Sequence, residues 1–208
     1  MQRVLGWLYP DRCALCASIG HPTVCPECAK DFLPAGPASW DVAPLAFRAG
    51  VYQYEGRAAQ AVRRLKYVRS TALAAFMAEA LAPRIEELAD RNDLVIPVPI
   101  HWRRRGDRGF NQSDLLCAGS HGRKVEPRAL RRVRMTPPQA SLPVAARGEN
   151  LHGAFVADSA LVRNRRVLLV DDVLTTGHTA RACAQALLQA GAREVGVLAF
   201  AMAAPTAG

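Results

Sequence analysis

The sequence predicts an α/β domain, a mainly parallel sheet flanked by helices, with a small cysteine-rich module in front of it. Three observations carry this. Apolar, strand-like runs alternate with alanine- and leucine-rich helical segments from residue 49 onward. The run VLLV (167–170) leads straight into two acids, Asp171 and Asp172, and then into a hydroxyl-and-glycine turn, Thr175 to Thr179. Residues 1–48 hold four of the six cysteines and show little periodicity. The expected division is therefore a module and linker over 1–48 and the main domain over 49–208.

Each element has its own signal. GVYQYEG (50–56) alternates and reads as a strand. RAAQAVRRLKYV (57–68) and TALAAFMAEALAPRI (71–85) carry apolar residues at helical spacing, and Pro83 is expected to end or kink the second helix. DLVIPVPI (93–100) is a buried strand ending in prolines, and SDLLCAG (113–119) is a short helix. NRRVLLV (164–170) is a strand, with the two acids just past its end. Capping hydroxyls around Thr176 and Thr179 open a helix, ARACAQALLQAG, which Gly191 closes. EVGVLAFAMA (194–203) is the last strand.

With 208 residues, half of them hydrophobic, the chain can bury a core in one main domain with room for a small extra one. No uncharged apolar window approaches the roughly 18 residues of a membrane span. The opening stretch MQRVLGWLYPDRC is too short and polar for a secretion signal, so a cytoplasmic location is expected. The net charge is +9, and 15 of the 27 basic residues lie in three windows, 56–69, 103–108 and 123–134. Clustered cations attract polyanions: phosphate esters, pyrophosphate or nucleic acid. The alternative for any one window is a solvated face.

Cys13 and Cys16 form one C-x2-C pair, and Cys25 and Cys28 form another eight residues on. Two thiolates at this spacing can face one metal from a tight turn, and four complete a tetrahedral Zn²⁺ site of ribbon or knuckle type. A redox C-x-x-C pair is the competing reading. Such a closed zinc site is structural and would stabilise a segment too small for its own core. His21 lies between the pairs and reads as a loop residue; Cys117 and Cys183 read as small buried hydrophobes.

The carboxyl edge of a parallel sheet is where open α/β folds bind ligands. A turn with hydroxyls and a glycine, leading into a helix N-terminus, offers N–H and O–H donors to a phosphate, and Gly177 permits close backbone approach. The two carboxylates can only accept. They suit a vicinal diol, or Mg²⁺ held through water. Phosphate beside a diol describes a ribose 5-phosphate. A receiver-type domain would need further functional residues on later strands, and only 36 residues follow Asp172. Acids that merely cap a helix would leave the second carboxylate and the TTGHT turn unexplained.

The pattern of apolar run, two acids and T-T-G-x-T resembles the PRPP-binding signature of type I phosphoribosyltransferases. The two C-x2-C pairs, VIPVPIHWRRRGDRGFNQSDLL (95–116) and TPPQASLPVAARGENLHGAF (136–155) together resemble the ComF family over nearly the whole chain. The resemblance implies a type I phosphoribosyltransferase-like fold. It implies that Asp171 and Asp172 hold ribose hydroxyls, and that Thr175, Thr176, Gly177, His178 and Thr179 hold the 5-phosphate of Mg²⁺-bound PRPP. Val98 and Pro99 would form the pyrophosphate loop, with Arg103 and Arg105 foremost among the arginines that follow, beside Arg104 and Arg108. Residues 136–155 would close over the ligand, with Gln139, Arg147 and Asn150 at family positions. Lys66 also fits a family position, where it could pair with an acid or reach phosphate, though solvation is the simpler expectation. The family implies a role in natural competence, handling single-stranded DNA beside a competence helicase. Trp7, Trp40 and Trp102 could then stack bases, although packing is the plainer role for each. The alternative is an active transferase with an unidentified base or amine acceptor.

Overall fold

The computed structural model describes residues 11–21, 23–68, 70–135, 151 and 153–204. Its centre is a five-stranded sheet. The strands are β1 (Ser39–Val42), β2 (Leu45–Gln53), β3 (Leu94–Pro97), β6 (Arg166–Leu174) and β7 (Glu194–Met202), in the order β1-β2-β7-β6-β3. The pairs β2–β7, β7–β6 and β6–β3 are parallel, and β1 adds an antiparallel edge. The boundary expected after residue 48 falls inside β2, so the chain is already part of the sheet there.

Strand residues alternate between two cores because successive side chains leave a strand on opposite faces. Leu168, Val170, Leu198 and Phe200 join one face, while Val167, Leu169, Val197 and Ala199 join the other. The first face is covered by α2 (Gly56–Val68) and α3 (Thr71–Glu87), the second by α7 (His178–Gln189). In α7 the buried residues are Ala180, Cys183, Ala184 and Leu187, the i, i+3, i+4, i+7 stripe of a surface helix. Cys117 and Cys183 are both buried, as their apolar surroundings in the sequence suggest.

Pro83 lies inside α3 and does not end it. Leu81, Ile85 and Leu88 are buried on both sides of the proline, and their packing offsets the lost backbone hydrogen bond. Unanticipated are a seven-residue helix, α4 (Trp102–Arg108), and a two-stranded antiparallel sheet of β4 (Leu130–Arg132) and β5 (Phe155–Ala157). Short helices α1 (Pro26–Lys30), α5 (Gln112–Leu116) and α6 (Ser159–Val162) complete the named elements.

The cysteine-rich segment is docked onto the domain. Cys13, Leu15, Cys25, Cys28 and Phe32 belong to the same core as α2 and α3. Phe32 stacks near Tyr52, Phe76 and Phe200, with ring centroids 4.9, 5.2 and 6.1 Å away. On α2, Arg64 Nη1 donates to the Ala14 carbonyl at 2.6 Å, and Arg57 pairs with Asp31 at 3.2 Å. Among the described residues no helix is long and apolar enough to cross a membrane.

Candidate functional site

Two segments meet at the carboxyl ends of β3 and β6. The Val98 N–H donates to the Val170 carbonyl at 2.9 Å, which extends the β3–β6 pairing and sets the 98–101 loop beside the acids. Asn111 Nδ2 donates to the Val98 carbonyl at 3.1 Å and pins the same loop from behind.

β6 continues through both acids instead of stopping before them. Adjacent strand residues point to opposite faces, so the two carboxylates have different surroundings. Asp171 Oδ1 accepts from Ser113 Oγ at 3.1 Å and from the Asp172 N–H at 2.8 Å. Asp172 is buried, and its Oδ1 pairs with Lys66 Nζ at 3.0 Å. Lys66 is therefore an acid's partner rather than a solvated side chain. Burial, reinforced by the charge of Asp172, pushes the Asp171 carboxyl up to about 7. Burial opposes the charge on Lys66, but Asp172 and Asp171 outweigh it and hold the amine above its ordinary range.

These groups open into a cleft of about 300 Å³. Lys66, Arg104, Arg108 and Arg132 line it along with Asp171 and Asp172, so four cations face two carboxylates. Val98, Pro99, Thr175 and Thr179 also line it. Beside it, Thr175, Thr176, Gly177, His178 and Thr179 border a shallow hollow that Asp171 also touches. Gly177 there has φ +76°, a left-handed conformation that favours glycine, and it caps the N-terminus of α7. Thr176 Oγ1 and His178 Nδ1 lie 2.9 Å apart.

Arg103 and Arg105 stand away from this cleft. Arg103 lies over the Trp102 ring, 5.2 Å from its centroid, and Arg105 pairs with Asp114 at 3.6 Å. The reason is helical geometry. In α4, positions 104 and 108 share one face, and without that helix in view nothing in the sequence separates the four arginines. Arg132 was not singled out in the sequence. It comes from β4, and burial together with the like charge of Arg104 lowers its proton affinity. Gln112 was also passed over. It is 2% exposed, lines the cleft, and its Nε2 has no hydrogen-bond partner among the described residues. Gln139, Arg147 and Asn150 lie outside the described residues.

The four early cysteines form a second constellation. Their sulfurs all lie within 4.8 Å of one another, and Cys16 and Cys25 Sγ are 3.6 Å apart. Tetrahedral zinc–thiolate bonds require sulfurs about 3.8 Å apart, so the donor set fits. The N–H groups of Leu15 and Cys25 donate to Cys13 Sγ at 3.4 and 3.3 Å, and the Cys28 N–H donates to Cys25 Sγ at 3.4 Å. Such donors stabilise thiolates. Despite its burial, hydrogen bonds from the backbone N–H groups of Cys16, Cys25 and Leu15 hold Cys13 down at about 6, while burial and the neighbouring sulfurs push Cys28 up to about 12. His21 is not part of the cluster. The four cysteines could hold a metal such as zinc.

Known proteins resemble this chain in sequence. A family model described as the phosphoribosyl transferase domain matches residues 129–206. DNA utilization protein YhgH of Salmonella typhimurium is 35% identical over 199 residues, covering 89% of this chain and 87% of that protein. Competence protein F of Haemophilus influenzae is 36% identical over 118 residues, covering 53% of this chain and 51% of that protein. Among solved structures, a glutamine PRPP amidotransferase from B. subtilis aligns with a TM-score of 0.41 and 23% identity, over 61% of this chain and 26% of that one. Sheet, acidic pair and family match define a phosphoribosyltransferase-like protein. With a relative 35% identical along nearly its whole length and competence protein F matching half of it, the chain belongs to the ComF family.

Proposed function

We propose that the cleft binds PRPP, or another ribose 5-phosphate, with Mg²⁺, and that the protein serves DNA uptake in natural competence. The observation that carries the binding is the juxtaposition at the end of β6. Two adjacent carboxyl groups sit beside a hydroxyl-rich turn at a helix N-terminus, in a cleft lined with four cations. Asp171 and Asp172 hold the ribose hydroxyls, and a magnesium ion bound there would shield the diphosphate charge. Thr175 to Thr179 hold the 5-phosphate. The Val98–Pro99 loop, with the α4 arginines, faces the pyrophosphate. Arg104 and Arg108 are the nearest of these, and Arg103 and Arg105 would need to turn inward to join them. The competence role rests on the names of the relatives, DNA utilization protein and competence protein F. Single-stranded DNA and a competence helicase are the partners that reading implies, in the cytoplasm. The cysteine cluster holds a structural zinc in a module that precedes the phosphoribosyltransferase-like domain.

The second reading is an active transferase. The retained acidic pair favours it, because those carboxylates and the cations would stabilise an oxocarbenium-like ribose as pyrophosphate departs. Phosphorus NMR of PRPP with Mg²⁺ and the protein separates the two. Shifted or broadened PRPP signals alone mean binding. Inorganic pyrophosphate that accumulates only when an added base or amine is present means transfer. Unperturbed PRPP signals would overturn both.

A further inference from the structure

The basic window at 123–134 supplies only Arg132 to the ribose-phosphate cleft. Its first two cations lie at the opposite, amino-terminal end of the sheet. There Arg123 and Lys124 line a cavity of about 330 Å³, together with Arg165 from the turn before β6. Leu94 at the start of β3, Leu168 of β6 and Ile85 of α3 are buried and form part of its wall. The proposed function makes no use of this cavity.

The backbone holds the three cations in place. A turn over Ser120–Arg123 is closed by the Arg123 N–H, which donates to the Ser120 carbonyl at 2.8 Å, and Gly122 within it has φ +70°. Val95 of β3 pins the residues that follow. Its N–H donates to the Lys124 carbonyl at 2.9 Å, and its carbonyl accepts from the Glu126 N–H at 3.0 Å. The Arg165 N–H donates to the Val162 carbonyl at 3.0 Å, and the Arg165 carbonyl accepts from the Arg193 N–H at 2.8 Å. Asp93 is the one carboxylate in the described lining, and it is committed to Arg166. Its Oδ1 accepts from Arg166 Nη2 at 2.8 Å, and its Oδ2 accepts from the Arg166 N–H at 2.9 Å and from Nε at 3.3 Å. These bonds hold the Asp93 carboxyl down at about 2. Its charge is thus already matched, which leaves the cavity cationic. Arg123 reaches Glu86 at 3.2 Å, an exposed pair of the kind that contributes little. Lys124 and Arg165 make no salt bridge among the described residues.

We propose that this cavity binds a small phosphate ester or pyrophosphate, whose phosphate oxygens Arg123, Lys124 and Arg165 hold. An anion of two or more charges matches three cations, whereas a single carboxylate would leave charge uncompensated. Guanidinium forks also suit phosphate oxygens. No aromatic ring lines the cavity among the described residues. A nucleic-acid strand relies on such rings for stacking, so a small ligand fits better. The strands β3 and β6 run from this cavity to the ribose-phosphate cleft, so the two sites lie at opposite ends of the sheet. This site goes beyond the ribose-phosphate reading and stands without it.

The test titrates inorganic pyrophosphate and glucose 6-phosphate, without Mg²⁺, into the isotope-labelled, zinc-loaded full chain and follows backbone amides by NMR. With at least one of them the Gly122, Lys124 and Arg165 signals shift saturably with a submillimolar Kd, and sodium chloride at matched ionic strength leaves them in place. Lys124→Gln/Arg165→Gln, at two exposed positions, keeps its Tm and weakens these shifts at least about tenfold. Asp171→Asn/Asp172→Asn leaves them unchanged. The proposal is overturned if neither phosphate shifts these amides at millimolar concentration, if sodium chloride shifts them equally, or if the folded Lys124→Gln/Arg165→Gln variant binds like wild type. Oligothymidylate is titrated in parallel, and tighter binding at these amides than either small phosphate would overturn the assignment in favour of a nucleic-acid strand. Signals of Val98 and of Thr175 to Thr179, followed with Mg²⁺·PRPP, report the ribose-phosphate cleft separately, so the failure of either reading leaves the other standing.

Discussion

Replacing Lys66 by Met removes the cation that pairs with the buried Asp172. The pair is 3.0 Å long, with the lysine side chain 22% exposed and the aspartate 6% exposed. Removing one partner of a fully buried ion pair costs about 3–5 kcal/mol, because the other charge is left uncompensated. Here the cleft admits water, which reduces the loss to roughly 2 kcal/mol. For a chain of this size that lowers Tm by about 4–8 °C. The reverse change, Asp172→Asn, should cost less. It leaves Lys66 partly solvated and relieves the repulsion between two adjacent carboxylates. A double-mutant cycle by urea denaturation at pH 8 should therefore give a coupling of at least about 1 kcal/mol, with Lys66→Met the costlier single change. At pH 5 the loss from Lys66→Met shrinks, because Asp171, pushed up to about 7, has taken up its proton and no longer repels Asp172. A coupling under about 0.3 kcal/mol, or equal losses at both pH values, would refute the reasoning.

Further outcomes follow from the same geometry. Because the folded carboxyl of Asp171 titrates near 7, well above its unfolded value, the group lowers stability as pH rises from about 4 to 7. Ligand binding that needs it ionised moves the other way. Mg²⁺·PRPP affinity should drop about tenfold from pH 8 to pH 6, and Asp171→Asn should abolish its share of that dependence when followed by calorimetry. Gln112→Leu breaks no hydrogen bond made by the Nε2 group, so Tm should hold within about 2 °C while PRPP affinity falls severalfold. Chelation, or Cys25→Ser, should release about one zinc per chain by elemental analysis and lower Tm, since the cluster shares its core with α2. Gly196→Ala would drive a methyl group into the ring of fully buried Phe47 and cost about 3 kcal/mol in denaturant titration.

Much of this architecture can be read from the chain. The alternation of VLLV with alanine-rich helices specifies a parallel sheet, and the C-x2-C spacing anticipates the cysteine cluster. Local patterns sufficed there because each is set by neighbours in sequence. Features that depend on distant contacts were hidden. Lys66 lies in a basic stretch that suggests solvation, and only packing of α2 against the sheet brings it to Asp172. The arginine cluster at 103–108 gives no helical signal in sequence, because Gly106 interrupts it and no apolar residue marks a face. Once it is a helix, its period selects Arg104 and Arg108 for the cleft. Arg132 arrives from a strand three residues long, too short for any periodic signal. Gln112 lies in the family-like segment 95–116 without a role of its own there, since an unpaired amide is visible only when its surroundings are known.

The central claim is that the carboxylate pair and the Thr175–Thr179 turn form a ribose-phosphate site. Calorimetric titration of Mg²⁺·PRPP into the zinc-loaded wild-type protein and into Asp171→Asn/Asp172→Asn tests it most directly. The account predicts saturable binding by wild type, and at least tenfold weaker binding by a variant that is still folded and zinc-loaded. Absence of binding by intact wild type, or equal binding by the variant, would contradict it.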